Sequence, residues 1–214
     1  MIRMSRYIRT LIILLAAVQT VGTMKAQNET SGTGGTASTG PTVRGNVFGG
    51  GNLAKVEGSV TVNVSAGTVA NDVYGGGAKA ETNTGSTGNP VTAVNLIGGI
   101  VTGSVYGGGL GQPAVAEQAP IPANVNGTVT VTVRGGTAYN VYGCNNLQGA
   151  PQQAVTVNIQ GGTINNNVYG GGDQGAVGGN TTVTLKDNVE VNGNVFGGGN
   201  EAEVSGSATV NIEE

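Results

Sequence analysis

The chain contains no histidine and no tryptophan, and a single cysteine among its 214 residues. Without His, a zinc site, a His-based acid–base pair and a Ser-His-Asp triad all lack their commonest member. Cys144 alone closes no intramolecular disulfide, so nothing in the fold is stapled. Charged residues make only 10% of the chain, yet Val, Ile and Leu recur in alternation, which excludes disorder driven by charge. Glycine is abundant, at 41 residues, but there are only six prolines and no three-residue period, which excludes collagen. No catalytic residue, no metal ligand set and no cofactor is expected.

The first residues read as an export leader. Arg3, Arg6 and Arg9 form a positive region, Leu11 to Val18 an apolar one, and Thr23-Met24-Lys25-Ala26 a cleavage site ending in a small residue. The apolar run falls short of the ~20 residues a membrane span needs, so residues 1–26 are expected to be cleaved and to leave no membrane span. Cleavage removes four of the nine basic residues and none of the twelve acidic ones, leaving a net charge near −7. That balance argues against nucleic acid and anionic lipid as partners. Residues 27–43, rich in Gly, Ser and Thr, read as a flexible linker.

What the chain has in abundance is repetition. Asn46-Val47-Phe48-Gly49-Gly50-Gly51 recurs as Val73-Tyr74-Gly75-Gly76-Gly77, Val105-Tyr106-Gly107-Gly108-Gly109, Val141-Tyr142-Gly143-Cys144-Asn145, Val168-Tyr169-Gly170-Gly171-Gly172 and Asn194-Val195-Phe196-Gly197-Gly198-Gly199. Spacings of 26 to 36 residues between the aromatics point to stacked supersecondary units. Between copies lie alternating β-branched runs such as Val60-Thr61-Val62-Asn63-Val64 and Val155-Thr156-Val157-Asn158-Ile159, the period of half-buried strands. Gly-Gly pairs at 98–99, 135–136 and 161–162, Ala66-Gly67 and Asp187-Asn188 then mark turns.

Residues 44–214 are therefore expected to form an all-β, parallel β-solenoid of about six rungs with three short strands per rung, rising ~4.8 Å each to ~30 Å. Right-handed coiling is favoured, because the strict period of left-handed hexapeptide helices is not kept. Val91-Thr92-Ala93-Val94-Asn95-Leu96 carries one extra residue and is expected to bulge. Asn145, replacing the third glycine of a triplet, predicts φ > 0 at that position. Length variation falls after the triplet, with Ala78–Pro90 and Leu110–Thr128 the long versions. Insertions at one place in a repeat emerge on one side, often the binding side.

The candidate binding residues are Tyr74, Tyr106, Tyr142, Tyr169, Asp173 and Glu201. The tyrosines form a column open to two readings, an exposed platform for sugar rings or rings that finish a core. Asp173 with Glu201 and Glu203 is the best carboxylate cluster. A polysaccharide hydrolase or lyase would need such a cluster at defined separation, but a solvated acidic edge is the simpler reading. An outward column of Thr61, Thr92, Thr130, Thr156, Thr182 and Thr209 suits an ice-binding array or plain ladder packing.

The pattern V-[YF]-G-G-G followed by V-T-V-x-[VI] and G-G-T, over residues 44–214, resembles the Gly-rich tandem repeats of large bacterial surface proteins with parallel β-helix, adhesin-like regions. The resemblance implies secretion or cell-surface display. It also implies an adhesive or scaffolding role toward a glycan or a host or neighbour-cell surface protein, with a polysaccharide-active β-helix enzyme and an ice-binding solenoid as alternatives. The sequence stops at Ile212-Glu213-Glu214 without a visible cap. A longer protein or end-to-end self-association is the expectation there.

Overall fold

The computed structural model describes residues 40–85, 88–186 and 189–214, all within the unit Ala37–Glu214. The expected leader, the linker up to residue 39 and the Asp187-Asn188 turn lie outside the described residues. The described residues are all-β, with no helix among them. The first strands are β1 (Thr42–Val43), β2 (Val47–Phe48), β3 (Val60–Val64), β4 (Thr68–Val69) and β5 (Val73–Tyr74). Next come β6 (Val91–Leu96), β7 (Ile100–Val101), β8 (Val105–Tyr106), β9 (Thr128–Ala138) and β10 (Val141–Tyr142). The last are β11 (Val155–Ile164), β12 (Val168–Tyr169), β13 (Thr181–Leu185), β14 (Glu190–Val191), β15 (Val195–Phe196) and β16 (Ala208–Ile212).

The strands sort into two sheets, and every pairing between them is parallel. The short Val-aromatic strands form one sheet in chain order, β2-β5-β8-β10-β12-β15, with Val on Val and aromatic on aromatic throughout. The second sheet holds two ladders. The alternating strands run β3-β6-β9-β11-β13-β16, and the shorter ones β1-β4-β7-β9-β11-β14. Strands β9 and β11 belong to both, passing through their Gly-Gly bends without a break, at the expense of a register shift between Ile159 and Gly161.

Alternation decides what is buried. In β3, Val60, Val62 and Val64 are buried while Thr61 and Asn63 are exposed. The apolar faces converge in one core that includes Val64, Leu96, Val133, Ile159 and Leu185 from the longer strands and Val73, Val105, Val141 and Val168 from the shorter ones. Each such side chain contributes about 1.5–3 kcal/mol by leaving water, and each lies against its own counterparts in neighbouring units. The second residue of each described bend, always glycine, takes the left-handed conformation, with φ between 75° and 81° at Gly67, Gly99, Gly136 and Gly162.

Five expectations are revised. Thr42 and Val43 pair with Thr68 and Val69, so the paired region begins inside the stretch read as linker, before residue 44. Strand β6 has no bulge: Val62 pairs with Val94 and Val64 with Leu96 in unbroken register, and the extra residue Val91 simply extends the strand against Thr128. Asn145 and its glycine counterparts are not among the positive-φ residues. The triplets are glycine for lack of space instead: a Cβ on Gly76 would lie 2.8 Å from the Gly109 nitrogen, and one on Gly77 2.8 Å from the Gly51 oxygen. Three strands per unit also understates the pairing. Single-residue parallel bridges Val56–Thr82–Val125–Pro151 and Val177–Val204 form a further ladder, backed by Val125, Val129, Cys144, Val155 and Val177.

Finally, the β6 register turns Thr92 inward. It pairs with Val60 and Val129, is wholly buried and donates its hydroxyl to Asn83 Oδ1 at 2.7 Å; Ala93 takes its place in the outward column. Thr92→Val strands the Asn83 oxygen without its donor, at a cost of about 1–3 kcal/mol. Thr61→Val, on the exposed side, stays within about 0.5 kcal/mol. Urea midpoints of the two variants measure the difference.

Candidate functional site

The aromatic column stands on the face of the six-stranded sheet opposite the core. Alternation sends Val inward, the aromatic outward, and the first glycine of the triplet inward again. The rings of Phe48, Tyr74, Tyr106, Tyr142, Tyr169 and Phe196 stack at centroid separations of 4.7–5.0 Å with interplanar angles of 3–11°. In-register parallel pairing imposes that spacing, since neighbouring strands lie ~4.8 Å apart. Each ring covers the face of the next, so Tyr74, Tyr106, Tyr142 and Tyr169 are all buried. They offer no open platform to a sugar; the reading of rings that close a core of their own fits the geometry. Within the column only Phe196, at its end, stands open (42% exposed).

The hydroxyl ends meet a polar rim built two residues before each aromatic. Tyr74 donates to Asp72 Oδ2 at 3.1 Å and accepts from Asn146 Nδ2 at 2.8 Å. Asn167 Nδ2 donates to the Tyr169 hydroxyl at 3.0 Å. The same rim links the units. Asn46 Oδ1 accepts the Asp72 N–H, Asp72 Oδ1 the Ser104 N–H, Asn140 Oδ1 the Asn167 N–H and Asn167 Oδ1 the Asn194 N–H, at 2.8–3.0 Å. Burial pushes the Tyr74, Tyr106 and Tyr142 hydroxyls well above their ordinary pKa, and the Asp72 and Asp173 carboxylates add to the effect. These hydroxyls are hydrogen-bond groups, not bases, at neutral pH. Burial likewise pushes the Cys144 thiol up, which leaves it inert.

Asp173 belongs to this rim. Its carboxylate lies beside the Tyr142 hydroxyl and accepts from Asn200 Nδ2 at 2.8 Å. Glu201 is exposed and meets Asp173 only through its backbone N–H, at 2.7 Å from the Asp173 carbonyl. Asp173 thus faces the tyrosine column, with Glu201 its backbone neighbour in the next unit. Among the described residues no three His, Cys, Asp or Glu side chains form a group that could hold a metal ion. The outward threonine column is broken at Ala93, and its neighbouring column is tied by contacts such as Asn95 Nδ2 to Asn63 Oδ1 at 2.9 Å.

The two long segments leave the ladders on opposite sides of the bridge column rather than at one place. In the second unit the extra residues follow Thr82; in the third they precede Val125. The latter folds into a hairpin, with antiparallel bridges Gln112–Ile121 and Val115–Gln118 and Ala116 at φ 50°. Residues 114–121 are exposed throughout. Between the segment after Thr82 and the following units lies a cleft of about 420 Å³, lined by Asn89, Asn126, Gln153, Thr84 and Thr128 with glycine, Pro90 and Asn83 and, among the described residues, by no charged one. Asn83 is committed to the scaffold, its Nδ2 donating to Gly58 O at 2.8 Å. Sequence reading missed this cleft, because its residues come from three separate units and share no motif. The signal available was the position of the long segments alone. No protein-family model, curated protein or solved structure matches this chain.

Proposed function

We propose that the chain is an exported, surface-displayed or secreted binding module, a right-handed parallel β-solenoid of about six turns whose amide-lined cleft takes a neutral glycan. The solenoid reading is supported by two sheets whose strand order follows the order of the repeats, and right-handed coiling is the usual sense for crossovers between parallel strands. The observation that carries the binding reading is the cleft itself: amides and hydroxyls converge there without a charged side chain. Uncharged donors and acceptors suit the hydroxyl groups of a sugar chain better than an ionic ligand, and a concave site with few convergent polar groups is where ligands bind. Specificity then resides in the inserted segments, carried on rigid ladders.

A glycan array probed with the purified chain and with the Asn126→Ala/Gln153→Ala double variant tests this. At least a tenfold loss of binding is expected, with an unchanged unfolding temperature, since loss of hydrogen bonds to a ligand amounts to about 1–3 kcal/mol. Binding indifferent to the double variant, or to protein ligands only, removes the glycan reading. Release of reducing ends from a bound polysaccharide would replace it with an enzymatic one.

A further inference from the structure

The first and last units are near copies of each other, more alike than adjacent ones. Sixteen of the twenty-three residues of 42–64 are identical in 190–212, including an unbroken run, Gly45–Asn52 and Gly193–Asn200. Among the described residues these are also the two units with partner strands on one side only. Among the described residues β1, β2 and β3 pair only with β4, β5 and β6, and β14, β15 and β16 only with β11, β12 and β13. The identical segment is thus seen with a neighbour on its following side, where β5 covers β2, and on its preceding side, where β12 covers β15. Both halves of a continued ladder already exist in one molecule.

We propose that copies of this chain stack head to tail, the outer edges of β14, β15 and β16 of one copy pairing in parallel register with the outer edges of β1, β2 and β3 of the next. Four of the six edge strands are unguarded: β2, β3, β15 and β16 contain no charged residue and no proline, the devices by which edge strands usually avoid pairing, whereas β14 carries Glu190. Apolar side chains wait there, with Phe196 at 42%, Val210 at 40% and Ile212 at 83% exposure. Stacking sets Phe196 on Phe48, and Val210 and Ile212 over Val62 and Val64. One of the few differences between the two units is complementary. Lys55 and Glu203 occupy the same place, seven residues after the aromatic, and Lys55 already bonds Glu81, the same place in the second unit, at 2.8 Å. A stacked copy brings Glu203 to the other side of Lys55. The contact is heterologous and does not close, so it propagates into fibres.

One glycine makes the test clean. A Cβ on Gly50, Gly76 or Gly171 would collide with the glycine backbone of the following unit, at 2.5, 2.8 and 2.6 Å from its nitrogen, whereas one on Gly198 meets nothing within 4 Å. Gly198→Ala therefore leaves the single chain intact and blocks only what stacks on it. Val43→Lys, at a side chain 39% exposed, blocks the opposite edge. In sedimentation velocity the parent chain is expected to grow beyond dimers with concentration. Each variant alone stays monomeric with unchanged circular dichroism and unfolding temperature, and an equimolar mixture gives dimers and nothing larger. Glu203→Lys weakens association about tenfold at low salt and less at high salt. A parent monomeric at every concentration, or Gly198→Ala chains that still associate, overturns the proposal.

Discussion

Gly107→Ala is expected to destabilise the protein by about 3–5 kcal/mol, the upper end of what one added methyl group does in a packed interior. A Cβ at this position would run into the carbonyl oxygen of Gly143 and lie 2.6 Å from Val129 Cγ1 and 2.8 Å from Val131 Cγ2. Neither side can yield. The valines are wholly buried, and the Gly143 carbonyl belongs to the neighbouring unit, whose separation is fixed by hydrogen bonds such as Gly107 N–H to Tyr142 O at 2.9 Å. Gly58→Ala, where nothing lies within 4 Å, serves as the control and stays within about 0.5 kcal/mol. Equilibrium denaturation of both variants measures the contrast. Equal effects would mean that the triplet glycines serve some end other than close approach.

Alkali is expected to unfold the protein from about pH 10 upward. An unfolded tyrosine ionises near pH 10, whereas burial and the neighbouring carboxylates raise the native pKa of Tyr74, Tyr106 and Tyr142 beyond that. Above pH 10 the native state thus holds more protons than the unfolded one, and stability falls as pH rises. Below pH 10 these groups contribute no slope. Three tyrosines that stay neutral give a loss of about 4 kcal/mol per pH unit. Denaturant midpoints between pH 9 and 12 read the slope, and it should shrink by about a third in Tyr106→Phe. Phenolate absorbance is expected to appear together with loss of the β-sheet signal. Ionisation of the buried rings in a still folded chain would refute the enclosure of the column.

Much of this architecture is legible in the residues. Val60-Thr61-Val62-Asn63-Val64 states its own burial pattern, and the aromatic spacing states the order of the six-stranded sheet. The glycines of the bends announce left-handed backbone, as at Gly67 and Gly99. What was hidden depends on neighbours far along the chain. A glycine required by φ and a glycine required by a passing backbone look alike in a sequence, so Asn145 misled. Thr92 looked outward because its motif was aligned by letters, while register is set by hydrogen bonds and packing. The bridge column of Val56, Thr82, Val125, Pro151, Val177 and Val204 has no common residue type and irregular spacing. The candidate site fared worst. The sequence marks Asp173 but not its place beside the Tyr142 hydroxyl, and the cleft around Asn126 and Gln153 depends on where two insertions of different length come to rest.

Because like residues pair with like from unit to unit, the molecule has a natural quantum of length. Excising the 26 residues from Val155 to Asn180 sets Thr181 in the place of Val155, the residue it already pairs with, and duplicating them does the reverse. Slippage during copying of the gene, ruinous for most globular proteins, here adds or removes one unit and keeps the like-with-like pairing of the others.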